Sequence, residues 1–166
     1  MGLTVKYIIL THGHFDHILA LPEIKEKYKA PILIHKEDEK WFQPEMMAKF
    51  IKPPKSYIPQ KANEYLYDGM KINIGRLECT VMHTPGHTMG SCILICKDII
   101  LAGDTVFLEN CGRCDFPESD PNAMVESLRK IAALPGDYRI FCGHGPATTL
   151  SHEREYNTAM KMSVRT

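Results

Sequence analysis

The segment Thr11-His-Gly-His-Phe-Asp-His17 sets three histidines and one aspartate within six positions. Neutral imidazole and carboxylate form the donor set for zinc or another borderline divalent cation. His12 and His14, two apart on an extended chain, point the same way, and Asp16 and His17 turn toward a second point nearby. Such density is costly as plain surface, because protonated neighbours repel and a buried imidazole needs a partner. The chemistry indicated is metal binding. Three more candidates lie further along: His87 in His83-Thr-Pro-Gly-His-Thr88, Asp104 after Ile99-Ile-Leu-Ala-Gly, and His144 after Tyr138-Arg-Ile-Phe-Cys-Gly. Each follows an apolar run that breaks off near a glycine, where the backbone can approach closely and present one side chain. Together they predict one shared His/Asp cluster along an edge of the sheets.

Other reactive side chains read differently. Cys111-Gly-Arg-Cys114 has the spacing of a redox pair or half a zinc site, but there is no second such pair to complete a tetrad, and the pair is expected to be neither. Cys92 and Cys96 fall inside an apolar run and are expected as small core residues, in a chain long enough to build its core without staples. His83 is expected to pack or support rather than ligate, His35 to be structural, and His152 to sit at an exposed helix start. Arg113 and Asp115 either touch substrate or pair with each other. Trp41, Phe42, Met46 and Met47 are expected in the core or a lid.

The elements that must position these groups are short. Val5–Thr11 and Pro31–His35 read as buried strands. Met70–Ile74, Leu77–His83, Ser91–Cys96 and Ile99–Ala102 follow as four more, and Tyr138–Cys142 as another. Helical spacing marks 18–29, and 37–51 reads as helical but broken by Pro44. Pro121–Leu134 is a helix with Asp120 as its cap, and Ser151–Met162 is a closing helix. Mixed strands and helices without repeats give an α/β or α+β architecture. At 166 residues the chain is expected to be one domain. Its 20 basic and 20 acidic residues cancel, which removes the electrostatic footprint of nucleic-acid or anionic-membrane binding. No apolar run approaches the ~18 residues of a membrane helix, and the N-terminus lacks a signal pattern, so a cytoplasmic protein is expected.

The succession HxHxDH, PGHT, GD and GH closely resembles the metallo-β-lactamase fold hydrolases, from about Lys6 to about His152. The resemblance implies an αββα sandwich of mixed sheets with the metals at one edge. By it, His12, His14 and His87 would hold one divalent ion and Asp16, His17 and His144 a second. Asp104 would bridge the two, and Asp16 and Asp104 would serve catalysis. The ions would be zinc, or else iron or manganese, sharing a hydroxide as nucleophile. Cys111-Gly-Arg-Cys-Asp-Phe-Pro117 and Gly143-His-Gly-Pro-Ala-Thr-Thr149, followed by Glu153, look like the loops of small glyoxalase II-like enzymes, which implies hydrolysis of an acyl-glutathione type thioester. Persulfide dioxygenases, mononuclear iron enzymes, share a similar CGRxDF stretch but lack the GHGP ending. A metal-binding fragment that needs a partner chain is the third reading. Family members carry strands and a helix ahead of the HxHxDH strand, along with a supporting acidic residue, whereas eleven residues precede His12 here. The first sheet is therefore expected to be under-covered around Val5–Leu10, and a homodimer to cover it.

Overall fold

Apolar side chains at consecutive positions of a short strand need cover on both faces, and Ile32-Leu-Ile34 shows the consequence. In the computed structural model, which describes residues 2–165, Ile32 and Ile34 are buried in one cluster with Leu10, Ile18, Trp41 and Phe42. Leu33 points the other way and joins Leu66, Ile72, Val81 and Leu94. The chain runs β1 (Ile8–Ile9), α1 (Phe15–Ile18), α2 (Leu21–Tyr28), β2 (Ile32–His35), a 3₁₀ segment Lys36–Phe42, α3 (Pro44–Met47) and β3 (Glu64–Leu66). It continues through β4 (Lys71–Ile74), β5 (Leu77–His83), β6 (Cys92–Cys96), β7 (Ile99–Gly103), β8 (Val106–Phe107), β9 (Asn110–Cys111) and α4 (Pro121–Ala132). It closes with β10 (Arg139–Cys142), β11 (Thr148–Thr149), α5 (Leu150–Tyr156) and α6 (Thr158–Arg165).

The two packed sheets have the orders β1-β2-β3 and β11-β10-β7-β6-β5-β4, and β8 pairs with β9 in a separate two-stranded ribbon. Strand β6 shows how they layer. Cys92, Leu94 and Cys96 face the first sheet, while Ile93 turns outward with Ile100, Ala102 and Ile140 against Met124, Leu128 and Ile131 of α4 and against Leu150 and Met160. The order across the molecule is helices, sheet, sheet, helices, the αββα sandwich expected. No helix among the described residues is long and apolar enough to cross a membrane.

Several local expectations change. The first sheet is wholly parallel among the described residues, not mixed, because a strand absent from the sequence reading, β3, pairs parallel to β2. The first strand pairs only over Ile8–Ile9, and Leu3, Val5 and Tyr7 ahead of it are exposed. The helix expected over 18–29 is shorter, α2 over Leu21–Tyr28, with α1 a separate turn ahead of it, and it ends at Lys29, which turns left-handed at φ 53°. The closing helix is broken at Asn157, whose extended backbone ends α5 and whose Oδ1 accepts from Met160 N at 3.1 Å, capping α6, while its buried amide donates to the Asn110 carbonyl at 2.8 Å and to Glu153 Oε2 at 2.7 Å. Asp120 caps α4 as expected, accepting from Asn122 N and Ala123 N.

Cys96 is not a free core thiol: it is joined to Cys79. The two cysteines are direct partners in the antiparallel β5–β6 register, and both face the space between the sheets, so pairing follows from register rather than from spacing. Cys92 matches its expectation as a buried free thiol.

Candidate metal centre

Topology assembles the centre. Strands β7 and β10 are parallel neighbours with Cys142 opposite Gly103, so Asp104 and His144 leave their strands at the same edge. Gly143 N donates to the Gly103 carbonyl at 2.7 Å, and a methyl group on Gly143 would overlie the Asp104 carboxylate. Two antiparallel steps from β7 bring the end of β5 to that edge as well, and with it the turn bearing His87. The first sheet is tied in where Cys92 N donates to the Thr11 carbonyl at 2.8 Å, immediately before His12.

All seven expected ligands converge. Donor atoms of His12, His14 and His87 lie within 4.8 Å of one another, as do those of His12, His17 and Asp104, and those of Asp16, His17 and His144. Asp104 stands between the groups: Oδ2 is 3.5 Å from His87 Nε2 and 3.6 Å from His144 Nε2, and Oδ1 is 3.3 Å from His17 Nε2. His144 Nε2 is also 3.0 Å from Asp16 Oδ2. The halves differ in burial. His12, His14 and His87 are 1%, 5% and 4% exposed, whereas Asp16 and His144 reach solvent.

The donor set fits a divalent cation. Among the described residues nothing hydrogen-bonds the buried His12 Nε2, and buried Asp104 Oδ1 has only the His17 ring beside it, at ion-pair distance. His87 Nδ1 lies 2.8 Å from the Arg113 carbonyl, which can only accept, so the proton sits on Nδ1 and the Nε2 lone pair faces the centre, 2.8 Å from His14 Nδ1. Burial, then the neighbouring imidazoles, holds His12 well below the ordinary histidine value, and burial followed by His87 takes His14 down to about 4. Both rings are thus neutral at pH 7, the form that ligates. Burial pulls His17 down, but Asp104 and Asp16 carry it above the ordinary value. Burial raises Asp104, yet the imidazoles of His17, His87 and His144 hold it below the usual carboxylate range.

A cleft of about 280 Å³ opens over these residues, walled by Phe15, Phe50, Phe107 and Phe116 with Arg113 at its mouth. Arg113 and Asp115 pair with each other, Nε to Oδ1 at 2.9 Å and Nη2 to Oδ2 at 2.8 Å, and the guanidinium lies over the Phe116 ring. Trp41, Phe42 and Met47 are core residues, the Trp41 ring edge-on to His14 at 5.0 Å. His83 stacks on His35 at 4.1 Å, and its Nε2 lies 2.9 Å from the Met89 carbonyl oxygen, away from the candidate ligands. His152 meets Glu109 at 3.1 Å. Cys111 and Cys114 lie half-buried against the α4 core, outside every ligand group.

One residue of the site carries no motif. Asp38 is fully buried and accepts from Gly13 N, Gly90 N and Thr88 Oγ1. By the family resemblance a supporting acidic group lies in a segment ahead of the HxHxDH strand; here a buried carboxylate beneath the histidine turns comes from the 3₁₀ segment. Its only sequence signal is a place among Lys36-Glu-Asp-Glu-Lys40, where it resembles its solvated neighbours.

The metallo-beta-lactamase superfamily model matches residues 1–144, the stretch that holds all seven candidate ligands. The chain belongs to this superfamily. It is 32% identical over 160 residues to the probable metallo-hydrolase YqgX of Bacillus subtilis, covering 94% of this chain and 76% of that one. It is 30% identical over 164 residues to the hydroxyacylglutathione hydrolase GloC of Haemophilus influenzae, covering 95% and 76%. Among solved structures, the BLEG-1 B3 metallo-beta-lactamase superposes with a TM-score of 0.86 at 29% identity, over 95% of this chain and 78% of that one. The di-iron form of TTHA1623 superposes with a TM-score of 0.77 at 33% identity, over 95% and 78%. Superfamily and donor set together make this a candidate centre for divalent metal ions in a metal-dependent hydrolase.

Proposed function

We propose that this superfamily member is a dinuclear metal-dependent thioesterase acting on an acyl-glutathione type substrate. The observation that carries the reading is Asp104, whose carboxylate stands between a buried three-histidine group and the Asp16/His17/His144 group. His12, His14 and His87 would hold one ion, Asp16, His17 and His144 the other, and Asp104 would face both. Bound there, divalent metal lowers the pKa of a coordinated water from ~15.7 to about 7 and polarises a carbonyl. The chain's own residues do the rest. Asp104 and Asp16 present carboxylate oxygens that accept and orient a proton at the reacting centre, and the four phenylalanines give the cleft an apolar wall beside it. The Arg113–Asp115 pair stands where a charged end of the substrate would leave the mouth. Hydrolysis by water needs no side-chain nucleophile, so Cys111 and Cys114 take no part.

The named hydrolase GloC and the two CGR and GHGP loops support the thioester class. Zinc is taken as the resident ion, with iron or manganese as alternatives, in a cytoplasmic setting. The test is a panel of acyl-glutathiones offered to the zinc-, iron- and manganese-loaded protein, with thiol release followed colorimetrically. Turnover of at least one member supports the reading. Two bound metals per chain and no turnover across the panel refutes the substrate class.

A further inference from the structure

We infer that Asp38 is a positioning residue for the three-histidine half of the centre alone, clamping the two turns that present His12, His14 and His87. The inference rests on the reading that these histidines hold metal. Its support is geometric. Asp38 Oδ2 accepts from Gly13 N at 2.8 Å and from Thr88 Oγ1 at 2.7 Å, and Oδ1 accepts from Gly90 N at 2.8 Å. Gly13 lies between His12 and His14, and Thr88 follows His87. One carboxylate therefore joins the backbone carrying two of these ligands to the turn carrying the third.

The turns are shaped to it. A Cβ on Gly90 would come to 2.5 Å from Asp38 Oδ1, and one on Gly13 to 2.7 Å from the Asp38 carbonyl oxygen and from Trp41 Cβ. Glycine is what lets both backbones close on the 3₁₀ segment. Asp38 touches none of the ligand side chains through the hydrogen bonds described, so it acts through the backbone. A carboxylate with no solvent exposure persists only where donors surround it, and removing them would strand a buried charge. No hydrogen bond described connects Asp38 to Asp16, His17 or His144. A different buried carboxylate serves that side: Glu153 accepts from Thr148 Oγ1 at 2.6 Å, Glu109 N at 2.9 Å and Asn157 Nδ2 at 2.7 Å, beyond the loop that bears His144.

The clamp predicts a selective loss that general destabilisation does not produce. Zinc affinity is measured by competition with a chromophoric chelator in two backgrounds of the full chain. In His144→Ala the remaining strong site is the three-histidine one; in His12→Ala it is the other. Adding Asp38→Asn should weaken zinc about ten- to hundredfold in the first background and less than about twofold in the second, the range typical of groups that orient ligands. Glu153→Gln, equally buried, should leave the first background unchanged. Should Asp38→Asn fail to fold, Thr88→Val removes a single donor and should still weaken the first background severalfold. Equal losses in both backgrounds, or no loss in the first, overturn the inference while leaving the metal centre intact. A parent protein that binds no zinc overturns the metal reading as well.

Discussion

Asp104 and His144 stand at the ends of neighbouring parallel strands, with His144 Nε2 3.6 Å from Asp104 Oδ2. Nearly forty residues of chain separate them, including α4, and parallel pairing alone brings them back to one edge. Because Asp104 also faces His87, it stands between the two candidate ligand groups. Asp104→Asn should therefore lower bound metal toward one ion per chain and reduce hydrolysis by at least about a hundredfold, with the fold retained. Elemental analysis beside a thiol-release assay checks it; unchanged metal content and rate would refute the bridging role.

Gly143 should matter for metal more than for folding. A methyl group there would overlie the Asp104 carboxylate, yet the residue itself is exposed and its backbone lies outside the left-handed region. Gly143→Ala should move the melting temperature by only a few degrees, about the effect of 1 kcal/mol in a domain of this size, while metal occupancy falls. Calorimetry with metal analysis on the same sample separates the two.

The thiols near the centre should be inert at neutral pH. Burial, then Cys111 and nearby carboxylates, pushes the Cys114 thiol up to about 11, and burial raises Cys111. A raised thiol pKa shrinks the reactive thiolate below it, so at pH 8 about one Cys114 in a thousand is ionised, against about a quarter for a thiol of pKa ~8.5. Iodoacetamide labelling followed by mass spectrometry should be slow at pH 8 and climb about tenfold per pH unit up to pH 10. Fast labelling of Cys114 at pH 8 would contradict this. The double change Cys111→Ser, Cys114→Ser should leave turnover unchanged.

Breaking the Cys79–Cys96 link should cost stability without touching the centre. Its sequence separation of 17 corresponds to about 3 kcal/mol of lost loop entropy in the unfolded chain. Denaturant unfolding of Cys79→Ser should show a loss of that order with metal stoichiometry preserved.

A second copy of the chain, if it pairs as expected, would dock on the edge strand β1. Leu3, Val5, Tyr7 and Ile9 line a groove with Ile74, and β1 pairs on one side only among the described residues. Light scattering at micromolar concentration should give twice the chain mass, and Val5→Lys with Tyr7→Lys should return it to one. A parent that stays monomeric and holds its metal refutes the dimer.

The candidate His/Asp cluster is legible without coordinates because its chemistry is local. Three imidazoles and a carboxylate in one turn have few other uses, and His87, Asp104 and His144 each follow an apolar run that ends near a glycine. The layers are legible for a similar reason: Ile32–Ile34 and Cys92–Cys96 are apolar at every position, which only a strand covered on both faces tolerates. Tertiary structure decided what depends on register and long-range approach. Cys79 and Cys96 pair because β5 and β6 align them, and no spacing rule encodes that alignment. Glu64–Leu66 becomes a strand because β2 offers an open edge, not because its residues alternate. Asp38, one acidic residue in a charged run, becomes the buried support of two metal turns only once the 3₁₀ segment lies beneath Gly13 and Gly90. A carboxylate's role is set by the donors that surround it, and these donors come from positions 25, 50 and 52 residues away in the chain.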